Sequence, residues 1–199
     1  MIKKLAETEV EIAPLISERW SPRAFDPEFI IDEGNVKSIL EAARWAPSCF
    51  GDQPWKFVIF QKKDALQWVN ALNCLSVGNQ NWAMDTSLLI CVCANKKFKH
   101  NGNENKWSQY DTGAASENIC LQSTYLGLAA HQMGGFDSDK IRNLANIPVE
   151  FDVMSFIAVG KPLAKKLMTI EQAEAEGSAR KRLKLNEIYF ENKWDNFEG

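Results

Sequence analysis

Ser87 to Ala94 reads SLLICVCA, an unbroken apolar run of strand length in a chain of 199 residues. Alternation would mark a strand with one wet face. A continuous run marks a strand covered on both sides. Ser87–Ala94 is therefore expected to be a strand buried on both faces. Cys91 and Cys93 share one face of this strand, which fits core packing better than a metal pair with so few companions.

Working outward, Lys56 to Gln61 (KFVIFQ) is a short strand. Asp64 to Cys74 has helical character, Val77 to Asn81 (VGNQN) is turn-like, and Gln80 to Asp85 begins a short helix. Upstream, Val36, Ile39, Leu40 and Ala43 recur at helical spacing over Asp32 to Trp45. Asp32 is placed to cap that helix, and Pro47 ends it. Downstream, Lys96 to Lys106 is a polar loop containing His100. Trp107 to Leu126 is the longest helical pattern. Tyr110, Ala114, Leu121 and Tyr125 mark one stripe, closed by Leu128, and Gly113 to Ser116 is thin enough for close helix packing. Gly127 ends this helix. Leu128 to Met133 is a strand leading into Gly134-Gly135. Asp139 to Ala145 is a short helix, and Met154 to Val159 a strand. From Lys161 the chain turns basic and poor in core residues, as an arm would be. The expected organisation is a core over 1–160 and an arm over 161–199 within one domain.

Apolar residues make up 45% of the sequence, and the net charge is −3. This balance argues against nucleic acid or an anionic membrane as partner. The longest apolar run is too short to span a bilayer. Five cysteines without C-x-x-C spacing and no secretory signal point to the cytoplasm. Two histidines make a His-based metal site unexpected. His131, in an apolar strand, is read as a hydrogen-bonded core residue, with a catalytic role as the alternative. There is no G-x-G-x-x-G, Walker loop, H-E-x-x-H or G-x-S-x-G.

Four stretches exceed what packing needs. RWSPRAF, residues 19–25, sets Arg19, Ser21 and Arg23 at alternate positions, where they could face one phosphate; a solvated turn is the alternative. APSCFGDQPWKF, residues 46–57, displays Ser48, Cys49, Gln53 and Trp55 on a loop fixed by two prolines. GNQNW, residues 78–82, puts Asn79 in a turn. AAHQMGGFD, residues 129–137, ends a strand in two glycines that permit close backbone approach.

In this order the four stretches resemble the nitroreductase family of flavoproteins. The match runs through R-x-S-x-R-x-F at Arg19–Phe25, the A-P-S…Q-P-W loop at Ala46–Trp55, G-N-Q-x-W at Gly78–Trp82, and a D-x-G helix ending in G-L-A-A-H-Q-M-G-G-F-D at Asp111–Asp137. The resemblance implies an α+β fold with a central mixed sheet flanked by helices. It also implies an intertwined homodimer whose C-terminal arms cross to the partner, with FMN at the interface. By resemblance, Arg19, Trp20, Ser21 and Arg23 bind the flavin phosphate and ribityl chain, and Arg180 and Arg182 complete the phosphate site. Pro47, Ser48 and Cys49 reach the flavin of the other subunit. Asn79 meets the pyrimidine side of the ring. Met133, Gly134 and Gly135 lie against the ring, and Gly51 and Trp55 face substrate. Gly51, Gly134 and Trp82 depart from the usual Asn, acid and Lys.

The implied activity is ping-pong transfer of hydride from NADH or NADPH through flavin N5 to a quinone, nitroaromatic or enone. No protein group is required as acid or base. The alternatives are a dehalogenating or flavin-cleaving branch of the same fold, or a flavin-binding sensor or store without turnover.

Overall fold

The computed structural model describes residues 4–194, so residues 1–3 and 195–199, the ends of the expected core and arm, lie outside it. In chain order the elements are α1 (Pro14–Glu18), α2 (Glu33–Arg44), β1 (Trp55–Gln61), α3 (Ala65–Leu72), α4 (Val77–Ala83), β2 (Leu88–Asn95), α5 (Ser108–Tyr125), β3 (Ala129–Met133), α6 (Ser138–Leu144), β4 (Phe151–Gly160) and α7 (Ile170–Gly177). The strands form one sheet in the order β1-β2-β4-β3.

The apolar run becomes β2, next to the sheet's centre, and its two faces feed two separate cores. Leu89, Cys91 and Cys93 join Trp68 and Ala71 of α3, Trp82 and Ala83 of α4, and Ile141 of α6. Leu88, Ile90 and Val92 join Val36, Ile39 and Ala43 of α2 with Ala115 and Ile119 of α5. The result is three layers, helices over and under a sheet. Each fully buried Leu, Ile or Val contributes about 1.5–3 kcal/mol by leaving water. α2 matches its expected cap: the Asp32 carboxylate accepts the Asn35 N–H at 2.8 Å.

The sheet departs from expectation in one respect. A mixed sheet is implied by the resemblance, but every pairing within the described residues is antiparallel. β2 and β3 do run the same way, joined through α5 as in a β-α-β unit. β4 lies between them and pairs with both, so no parallel contact forms.

Two helices differ from the sequence reading. The expected turn at Val77–Asn81 is the start of α4. Burial of Trp82 and Ala83 outweighs the poor helix propensity of Gly78, Asn79 and Asn81. The Gln80 amide also donates to the Leu75 carbonyl at 2.7 Å, which supports the helix entry. In α5 the stripe of Tyr110 and Tyr125 faces outward, and the buried side carries Asp111, Thr112, Ala115, Ser116, Ile119, Cys120 and Ser123. Two of the small hydroxyls on that side bond their own helix, while the buried Thr112 hydroxyl has no partner among the described residues. Ser116 and Ser123 donate to the Thr112 and Ile119 carbonyls, each at 2.8 Å.

The expected arm begins as a return segment. The Lys161 carbonyl accepts from Asp26 N–H at 2.9 Å, and Leu163 N–H donates to Ala24 at 3.0 Å. α7 opens with a capping box between Thr169 and Gln172. Through Arg180 this segment lies against the chain's own N-terminal stretch.

Candidate functional site

Phe25 pins the RWSPRAF stretch to the core. Its ring is buried and stacks on Trp82 at 6.1 Å, and its backbone bridges to Pro162. The polar residues before it are thereby held at the surface, where the return segment closes over them. A cavity of about 310 Å³ results. Arg19, Trp20, Ser21 and Arg23 form one wall, and Arg180 and Arg182 come from the far end of the chain. These six expected site residues thus meet in one place.

The cavity is crowded with positive charge. Arg19 Nε pairs with Glu117 of α5 at 3.2 Å, and its Nη1 points to Ser21 Oγ at 3.5 Å. Arg180 donates to the carbonyls of Lys4 and Ser17 at 3.2 and 2.9 Å. Burial, and then the Arg19 and Arg182 guanidiniums, push the Arg180 pKa down. Burial also raises the Glu117 carboxyl against the opposing pull of Arg19. Arginines packed at this density offer several planar donor sets to an anion.

His131 of β3 lines the same cavity. Its Nδ1–H donates to the Pro22 carbonyl at 2.8 Å, and its ring lies 4.5 Å from that of Trp82. It is the hydrogen-bonded histidine expected, and it is also a cavity wall. Burial lowers its pKa, Arg23 and Arg19 push the same way, and the Pro22 bond opposes them. A depressed folded pKa means that the unfolded chain takes the proton first. Stability from neutral His131 is therefore full above the ordinary value of 6.5 and is lost as pH falls through it and below. Between about pH 7 and pH 5 the melting temperature of the wild type should fall more steeply than that of His131→Gln. Parallel melting curves for the two proteins at matched ionic strength would refute this.

Beyond His131, β3 is an edge strand that ends at Met133. Asn79 and Gly135 meet there: the Asn79 amide donates to the Gly135 carbonyl at 3.0 Å, and Ser76 N–H donates to it at 2.9 Å. A Cβ on Gly135 would lie 2.8 Å from Ser76 Oγ and 2.9 Å from Asn79 Nδ2. The glycine thus lets these two side chains pack directly against the backbone, and a larger residue would have to displace them. Gly134 stands open beside it. Met133 contributes backbone only, since its side chain is in the core.

The Pro47–Cys49 segment contributes nothing to the basic cavity of its own chain. Cys49 N–H donates to the Asp111 carboxylate at 3.0 Å, and Gln53 N–H donates to Ser48 Oγ at 3.0 Å. Phe50 and Gln53 both hold positive φ, as does Gly51. Gly51 lines a second, open cavity of about 500 Å³ with Phe50 and His100. Trp55, expected to face substrate, is placed in the core: it is 5% exposed among Ala46, Val92 and Ala115. Trp82, the third departure from the family pattern, is likewise buried.

Lys4 and Glu176 also line the cavity and were not anticipated. Lys4 Nζ sits 4.7 Å from the Trp20 ring. Nothing local marks either residue, because each acts on a segment more than a hundred residues away in sequence.

Comparison with known proteins agrees with this architecture. The family model described as "Nitroreductase family" matches residues 16–161. An Archaeoglobus fulgidus protein whose name combines NADH dehydrogenase and NAD(P)H nitroreductase is 30% identical over 160 residues, covering 78% of this chain and 88% of that protein. The oxygen-insensitive NADPH nitroreductase of Helicobacter acinonychis is 25% identical, covering 74% and 85%. A crystal structure described as an oxidoreductase containing FMN superposes with a TM-score of 0.87 at 34% identity, over 95% of this chain and 96% of that one. A nitroreductase family protein from Clostridium novyi, at 22% identity and a TM-score of 0.67 over 82% and 92%, shares the fold. Sequence and structure together place the chain in the nitroreductase family.

Proposed function

We propose that the chain is an FMN-dependent oxidoreductase drawing on NADH or NADPH. It serves small acceptors such as quinones, nitroaromatics or enones in alternation with the donor, in one shared pocket. The observation that carries this reading is the basic cavity, from which β3 leads past His131 to Gly134 and Gly135. Arg19, Arg180 and Arg182 supply the guanidiniums a phosphate needs, and Ser21 adds a hydroxyl. From His131 to Gly135 the chain advances four residues, at most about 13 Å when extended, which gives room for a polyol chain between phosphate and ring. At Gly135 the missing Cβ lets Ser76 and Asn79 pack against the backbone, and the Asn79 amide tethered there suits the polar edge of a planar ring. The 34%-identical structure described as containing FMN supports the choice of cofactor.

Bound there, FMN supplies two-electron transfer at its N5. The chain's own residues bind and orient. The arginines neutralise phosphate, Trp20 covers its approach, and the backbone at Gly134–Gly135 stays open to the ring. The pocket is completed from a second copy of the chain through Pro47, Ser48 and Cys49. The exposed side of α5 supports such pairing, with Tyr110 and Tyr125 outward and Gly113 open between them. Among the described residues no helix is long and apolar enough to cross a membrane. The five cysteines are free thiols, which fits work in the reducing cytoplasm.

The test is anaerobic mixing of FMN-loaded protein with NADH and, separately, NADPH. Flavin absorbance should bleach with at least one donor and return when a quinone is added. Absorbance unchanged by both donors would overturn the reading, and bleaching without reoxidation by any acceptor class would reduce it to flavin binding.

A further inference from the structure

Glu176 stands one residue before the end of α7 and is 5% exposed. Both placements cost stability. A carboxylate in a last helical turn faces the negative end of the helix dipole, and glutamate is almost never fully buried without a partner. Backbone N–H groups hold it there. Oε1 accepts from Arg23 N–H at 2.7 Å and from Ala24 N–H at 3.1 Å. The Glu176 carbonyl accepts from Lys4 Nζ at 2.9 Å. One residue of the return segment therefore grips both N-terminal stretches that wall the basic cavity. The second carboxylate oxygen, Oε2, is enclosed and has no hydrogen-bond partner.

We propose that Glu176 is the positioning residue of the anion cavity. Two successive N–H groups on one carboxylate oxygen fix the peptide at Arg23–Ala24. That peptide carries Arg23, and Ser21 stands two residues before it, so it sets the direction from which both reach into the cavity. Glu176 does not itself bind phosphate, which its charge would repel. Its effect passes through the backbone, so what matters is the Oε1 acceptor and its reach. This role rests on the reading of the cavity as the phosphate end of an FMN site.

The experiment measures affinity for FMN and for riboflavin, which carries the same ring and polyol without phosphate, by flavin fluorescence on the full-length protein. Glu176→Ala should weaken FMN about tenfold or more, since bonds to a charged acceptor are lost. Riboflavin should change by less than about threefold, because its affinity does not draw on the phosphate contacts. Glu176→Gln keeps an acceptor oxygen at full length and should hold FMN within about threefold of the wild type. Glu176→Asp keeps the charge but withdraws it by one methylene. It should show the selective loss of FMN, and it serves if the alanine variant does not fold. Equal weakening of both flavins would mean a merely structural role and would overturn the proposal. So would FMN binding in the alanine variant as tight as, or tighter than, the wild type. A wild-type chain that binds neither flavin overturns the FMN reading and this role with it. Wild-type binding that is indifferent to Glu176 overturns this role alone.

Discussion

Arg19→Ala should purify without flavin colour. Arg19 lies on the cavity wall with most of its side chain covered, so a phosphate held there meets the guanidinium out of bulk water. Losing one partner of such a charged contact costs about 2–5 kcal/mol, or roughly 30- to several-thousand-fold in affinity. The substitution also strands Glu117, whose carboxyl is already pushed up by burial and now loses the one cation that opposed the shift. Arg19→Lys restores charge without the planar fork and should recover only part of the affinity. Flavin absorbance relative to protein absorbance after purification measures the effect directly. An alanine variant retaining flavin at the wild-type ratio would show that Arg19 is not a phosphate ligand.

Phe25→Ala should be the most destabilising single change in the RWSPRAF stretch. The ring is 1% exposed and touches Trp82, and its Cδ1 lies 2.9 Å from where a Cβ on Gly160 would sit. Neighbours on α4 and β4 cannot both collapse into the space it leaves. The expected cost is about 3–5 kcal/mol. For a chain of this size that lowers the melting temperature by roughly 10 °C. The comparison is made on flavin-free protein, so that ligand linkage does not contribute. Phe25→Leu refills most of the volume and should cost about 1.5 kcal/mol or less. A fall of no more than about 2 °C for the alanine variant would place the anchor of this stretch elsewhere.

Much of this architecture was legible in sequence because it depends on local pattern. SLLICVCA announces a strand buried on both faces, and Asp32 with Val36, Ile39 and Ala43 announces a capped amphipathic helix. The two features misread in helices have one cause, that tertiary burial overrules local preference. α4 forms through Gly78 and two asparagines because Trp82 must be covered. α5 buries Ser116 and Ser123 and turns its tyrosines outward, because small side chains that bond their own helix allow closer approach to the sheet. In the site, the meeting of Arg19 with Arg180 and Arg182 followed from family resemblance, since no spacing rule connects positions so far apart. Lys4 and Glu176 were invisible for the same reason. Their roles consist of bonds to distant backbone, and backbone has no sequence signature. Trp55 belongs to a loop that looks functional, while its own position opens β1 and faces the core.

The position of β4 also bears on how the chain is made. Synthesis delivers β2 and β3 well before Phe151–Gly160, yet β4 is the strand that joins them. Until it emerges, β2 has β1 on one edge and nothing on the other, and β3 has no neighbour in the sheet at all. The nascent chain thus carries an apolar strand with an open edge across the synthesis of more than fifty residues, from Asn95 to Phe151. Such edges invite pairing with other chains. The last strand of the sheet is therefore the one whose arrival covers the open edge of its most apolar strand.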